Sequence, residues 1–158
     1  MLLEGSCHCG AVHFSVESHT PYPYMRCYCS ICRKTAGTGG FAINIMGDND
    51  SMAVSGRRHV REYRADFDGV PSEHRRYFCR RCGSALWAWH PAWPELVHPF
   101  AGAIDTPLPK PKEFVDLMLG SAAPWVELHR GKHIERFDVY PDESIEDWHR
   151  NRGLWLDD

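Results

Sequence analysis

Apolar and polar positions alternate over short stretches of this chain and seldom repeat at helical spacing. Val12, Phe14 and Val16 alternate with Ala11, His13 and Ser15, the two-residue period of a strand with one buried face. The apolar run 41–46 follows the break Gly37-Thr38-Gly39-Gly40 and reads as a buried strand. Shorter strands are predicted over 59–64 and 76–79, an aromatic-rich one over 84–90, and another over 96–101. Late strands are predicted over 114–119 and 125–129. Pro107-Leu108-Pro109-Lys110-Pro111 cannot lie inside a helix and reads as a stiff, exposed connection. Helical signals are few. A short turn is predicted over 30–35, after Cys29. A second helix is predicted near the end, capped by Asp142 or Ser144, carrying Ile145, Trp148 and Arg152, and stopped at Gly153. The pattern predicts one mainly β domain over 1–158 with one or two short helices.

A chain of 158 residues is long enough for one domain with a real core. Hydrophobic residues at 43% and charged residues at 25% exclude a disordered or fibrous chain. A formal charge of −3 argues against a strongly basic nucleic-acid-binding face, so no nucleic-acid partner is expected. No stretch is apolar enough for a membrane span, and the N-terminus lacks a basic start followed by an apolar run. A cytoplasmic protein with reduced thiols is expected.

The seven cysteines change this picture most. They fall as Cys7-His8-Cys9, Cys27-Tyr28-Cys29, Cys29-Ser30-Ile31-Cys32 and Cys79-Arg80-Arg81-Cys82, each within three residues of another. Core cysteines would be scattered, and an odd count does not close a disulfide framework. On an extended segment the sulfurs of Cys-x-Cys share a face, and a Cys-x-x-Cys turn folds its two sulfurs together. Gly83 after Cys82 suits such a turn. Both arrangements suit zinc, which takes thiolates in a tetrahedron. Seven sulfurs divide into a filled site of four and a site of three with a vacancy. Spacing alone does not decide the division. Cys29, Cys32, Cys79 and Cys82 also make a filled set, leaving Cys7, Cys9 and Cys27, and His8 is a further candidate ligand.

Three stretches together carry a family resemblance: 5–14 around Cys7-His8-Cys9-Gly10, 27–34 around Cys27-Tyr28-Cys29-Ser30-Ile31-Cys32, and 78–84 around Cys79-Arg80-Arg81-Cys82-Gly83. Pro124-Trp125 and 143–148 add to it. The chain resembles the glutathione-dependent formaldehyde-activating enzymes, a family that includes centromere protein V-like members. The resemblance implies an Mss4-like fold of zinc-stapled β-sheets. It implies two zincs per chain, a structural one on Cys7, Cys9, Cys79 and Cys82 and a second on Cys27, Cys29 and Cys32, whose fourth position serves water or a thiol. It also implies a carbon–sulfur lyase joining glutathione and formaldehyde to S-hydroxymethylglutathione. The chain departs from many relatives in having no histidine over 107–124, before the Pro-Trp pair.

A zinc with a vacancy binds a thiol as thiolate and polarises a carbonyl, so a small thiol and a small aldehyde are the expected partners. Glutathione carries carboxylates, which makes Arg33 and Lys34 candidate contacts, and Arg75, Arg76, Arg80 and Arg81 a second basic cluster. Tyr28 and Trp87 are further candidate substrate contacts. Trp89, Trp93 and Phe100 extend an aromatic wall, and His90 and His98 are candidate bases beside it. Asp105 reads as a turn residue. The competing classes are a non-catalytic zinc module docking a protein partner and a zinc or thiol sensor. The aromatic surface also admits a homodimer.

Overall fold

A computed structural model describes residues 1–157. Its strands are β1 (Leu2–Ser6), β2 (His13–Glu17), β3 (Met25–Cys27), β4 (Ala42–Ile43), β5 (Gly47–Asp48), β6 (Ala53–Ser55), β7 (Val60–Phe67), β8 (Val70–Cys79), β9 (Ala85–Trp89), β10 (Leu96–Pro99), β11 (Phe114–Leu117) and β12 (Ile134–Arg136). The helices are α1 (Ser30–Ala36) and α2 (Ile145–Asn151). The mainly β architecture with short helices is the one the sequence predicts. No helix among the described residues is long and apolar enough to cross a membrane.

The strands form three sheets, ordered β1-β2-β6, β5-β10-β9-β8-β7 and β12-β11-β3-β4. The first two are antiparallel throughout, whereas β11 runs parallel to both β3 and β12. Two apolar cores result. Leu3, Val12, Phe14, Val16, Leu86 and Trp87 gather around Cys7 and Cys79. Tyr24, Val115, Leu117, Phe100 and Trp148 gather around Cys27 and Cys32. Ser144 caps α2 by accepting from the Asp147 amide, and the helix lays Trp148 flat on Tyr24 with ring centroids 3.6 Å apart.

Several predicted elements differ. The run 41–46 does not form one strand. It holds β4 and then isolated bridges from Asn44 to Phe100 and from Met46 to Thr20, because its residues find different partners in succession. No strand forms over 125–129, where Trp125 is exposed, and the late strand is β12. The segments 60–64 and 76–79 are parts of longer strands, β7 and β8, and His59 closes a 3-10 turn before β7. The run 96–101 ends as a strand at Pro99 and turns into a 3-10 helix over Ala101–Ala103. Cys7-His8-Cys9 is a turn and not an extended segment. Gly10 has a φ of +70° and its amide donates to the Cys7 carbonyl, which curls the chain directly after β1.

Candidate metal centres and the facing sheet

The cysteines come together as Cys7, Cys9, Cys79 and Cys82 in one group and Cys27, Cys29 and Cys32 in another, with sulfurs within 4.8 Å of one another in each. This is the four-plus-three division, and the alternative sharing of Cys29 and Cys32 with Cys79 and Cys82 does not occur.

The quartet joins two sheets. Cys7 follows β1 and Cys79 ends β8, and Cys9 and Cys79, 70 positions apart, meet at one point. Gly83 takes a φ of +76° and its amide donates to the Cys79 carbonyl, the turn its position suggests. Sulfurs about 2.3 Å from a tetrahedral zinc lie about 3.8 Å from each other. Cys7 and Cys9 sulfurs are 3.6 Å apart, and those of Cys9 and Cys79 are 3.9 Å apart. The donor set and its spacing therefore fit zinc. The Val12 amide also points at the Cys7 sulfur at 3.3 Å, and the Ser84 hydroxyl lies 3.2 Å from the Cys82 sulfur. The Ser84 hydroxyl and amide hold the Cys82 thiol down to about 5.

The trio is local. Cys27 ends β3, Cys29 is the N-cap of α1, and Cys32 lies in its first turn. The Cys29 sulfur accepts from the Cys32 amide at 3.3 Å. Hydrogen bonds from Cys27 and then Cys32 push the Cys29 thiol well below its ordinary value. Cys27 is pushed far up by donating to Cys29 and Cys32. Three sulfurs suit a soft cation and leave one tetrahedral position without a protein ligand in this group among the described residues.

The sheet facing the trio supplies groups the sequence only half reveals. Register sets a row across it: Tyr63 opposite Arg76, Arg76 opposite Ala88, Ala88 opposite His98. Residues two apart share a strand face, so His74 and His90 flank this row. Arg76 acts electrostatically on Cys32, and His74 on Cys29, which sets this face against the trio. Burial first, and then the charge of Arg76, holds the His74 imidazole down to about 4; burial does the same for His98. Both are neutral at pH 7. The rings of His74 and His90 lie 5.7 Å apart. Tyr140, 70% exposed, lies within electrostatic reach of all three trio sulfurs. The imidazole within electrostatic reach of the trio is thus His74 of β8, with His90 beside it.

The other expected contacts scatter. Trp87 packs between Phe14 and Tyr77 in the first core, and Trp89 carries Arg75 over its ring at 5.0 Å. Tyr28 has no exposed surface and packs on Phe41, with its hydroxyl beside Asp116. Both Trp87 and Tyr28 are core side chains. Lys34 is exposed, Arg33 is half-buried with its Nε unpartnered, and Arg80 and Arg81 are exposed. His8 is exposed beside the quartet, Trp93 is exposed against His90, and the Asp105 amide pins its turn to the Glu4 carbonyl. His74 and Tyr140 are the neighbours sequence reasoning missed. The two-residue spacing of His74 and Arg76 in a strand was the available signal for the first; nothing signalled the second.

The family model for glutathione-dependent formaldehyde-activating enzyme matches residues 2–117, which span all seven cysteines. A curated protein of Halomonas elongata, provisionally named a glutathione-dependent formaldehyde-activating enzyme, is 58% identical over 154 residues, 98% of each chain. A solved Rhodobacter sphaeroides protein superposes with a TM-score of 0.53 at 27% identity, over 67% of this chain and 91% of its own. The chain belongs to the glutathione-dependent formaldehyde-activating enzyme family.

Proposed function

We propose that this protein joins glutathione and formaldehyde to S-hydroxymethylglutathione at a zinc held by Cys27, Cys29 and Cys32, as a carbon–sulfur lyase in the reverse direction. The observation that carries this reading is the convergence of the three sulfurs of Cys27, Cys29 and Cys32, with no fourth protein ligand in the group among the described residues. A zinc there would keep a substrate thiol deprotonated and hold it in the fourth position. A second zinc on Cys7, Cys9, Cys79 and Cys82 is structural, filled by four sulfurs and tying β1 to β8. The whole chain acts as one domain in this reading.

The reaction is an addition. The substrate sulfur attacks the carbonyl carbon, a C–S bond forms, and the C=O π pair moves to oxygen. The proton lost by the thiol ends on that oxygen. Two groups of this chain are suited to relay it, His74 by accepting it as a neutral base and passing it on, and Tyr140 by giving its hydroxyl proton to the oxygen and being reprotonated. His74 is neutral, half-buried, and has an unpartnered Nε2 on the face opposite Cys29. Tyr140 carries a hydroxyl near the same sulfurs. Trp93 and His90 border this side of the sheet.

Exchange NMR on equilibrated glutathione and formaldehyde tests the proposal. The protein is expected to speed interconversion with S-hydroxymethylglutathione. Cys29→Ala is expected to abolish the acceleration and lose one zinc per chain while keeping its far-UV circular dichroism. Full acceleration by a folded Cys29→Ala variant would remove the trio from the reaction.

A further inference from the structure

Two arginines are buried among the described residues, Arg26 and Arg76. Arg26 is paired with Asp116. Arg76 is 8% exposed, has no carboxylate within ion-pair distance among the described residues, and its Nε has no hydrogen-bond partner. No hydrogen bond joins it to a trio sulfur either, although it lies within electrostatic reach of Cys32. A buried guanidinium left unpaired is costly, and arginines are rarely buried without an anion. A bound anion would remove that cost.

The space for one is present. A cavity of about 350 Å³ is lined by Thr35, Tyr63, Arg76, Phe78, Ala85 and Phe100. That volume falls in the range of small-molecule sites. Thr35 lies three residues after Cys32 on α1, so both share one side of the helix. Tyr63 stands beside Arg76 across the β7–β8 pair at the rim. The walls are mostly apolar, with a single buried cation, and Thr35 brings α1 to one of them.

We propose that this cavity receives the carboxylate-bearing end of the thiol substrate, with Arg76 as its anchor, so that the site selects thiols carrying a carboxylate over neutral ones. The proposal rests on the reading of Cys27, Cys29 and Cys32 as the reacting centre. A guanidinium offers two parallel donors to a carboxylate, which fixes the far end of the substrate while the sulfur reaches the trio. Arg76 is then a specificity residue.

Calorimetry with S-methylglutathione tests the anchor apart from the reaction, because this ligand keeps both carboxylates and has no free thiol. Arg76→Gln is expected to weaken its binding about 10- to 100-fold, the loss of one charge-assisted pair. The diethyl ester of S-methylglutathione is expected to bind the unaltered protein with a similar deficit, a comparison that needs no variant. Turnover of a neutral thiol such as β-mercaptoethanol is expected to fall less in Arg76→Gln than turnover of glutathione does. Equal binding of acid and diester, unchanged binding by the variant, or no binding of S-methylglutathione at all would overturn the anchor. An equal loss for glutathione and β-mercaptoethanol would also overturn it, since Arg76 would then act on the trio's charge. Arg76-dependent binding without any acceleration of thiol addition would keep the anchor and remove the proposed reaction.

Discussion

Asp116→Ala is expected to destabilise this protein more than any other single exchange of a charged residue. Asp116 has no exposed side-chain surface and accepts from Arg26 Nε at 2.6 Å; Arg26 is itself 5% exposed. The Arg26 guanidinium lies 4.6 Å from the Phe114 ring centre and 5.9 Å from that of Phe41. Removing the carboxylate leaves this cation in an apolar box with no anion. Breaking a buried pair from one side costs about 3–5 kcal/mol, which in a chain of this size is roughly 6–20 °C in Tm. Arg26→Met should cost less, because Asp116 keeps Arg136 at 3.8 Å. Replacing both, as Arg26→Met with Asp116→Ala, removes the stranded charge and should recover about 2 kcal/mol or more relative to the sum of the singles. Equilibrium urea unfolding with zinc in excess measures all four proteins. Arg26 and Asp116 are paired residues of β3 and β11, one position from the pairing of Cys27 with Leu117. Asp116→Ala should therefore also weaken metal binding by the trio. A cost below about 1 kcal/mol, or strict additivity in the double variant, would refute the reasoning.

Acid should destabilise the protein through His98, which burial keeps neutral down to about pH 4. Its unfolded counterpart takes up a proton near pH 6.5, so stability falls as the pH drops from about 6.5 to 4, by up to about 3 kcal/mol. The difference in stability between the unaltered protein and His98→Leu should shift by that amount across the window; a constant difference would show that the imidazole is not held neutral. Ser144→Ala removes the cap on the Asp147 amide and should cost about 1 kcal/mol in urea unfolding, with Trp148 fluorescence reporting a loosened α2. Chelation of the quartet should melt the first core before the second, because Cys7 and Cys79 sit inside it. Hydrogen exchange should thus accelerate first at Leu3, Val12 and Leu86.

The cysteine groups were legible because metal chemistry forces ligands into short local spacings, and those survive in the sequence without knowledge of the fold. The pairing of the 7–9 block with the 79–82 block was not legible from spacing, since it depends on β1 and β8 ending at the same place. The strand β2 was visible through alternation and β9 through its aromatic residues, whereas β3 and β12 are three residues each and present no period. The functional face of β8 was hidden for another reason. Glu73-His74-Arg75-Arg76 reads as a solvated charge run, and only the register with β7 and β9 separates Arg76, which is buried, from Arg75, which pairs with Glu62 at the surface. The burial of Tyr28 and Trp87 likewise follows from sheet packing that their neighbours in sequence do not specify.

Zinc per chain, measured by elemental analysis before and after dialysis against excess glutathione, tests the central claim most directly. The account predicts two zincs per chain, with only the one lost in Cys29→Ala released or perturbed by glutathione. A single zinc, or two that are both indifferent to the thiol, would contradict a trio that receives its substrate at the metal.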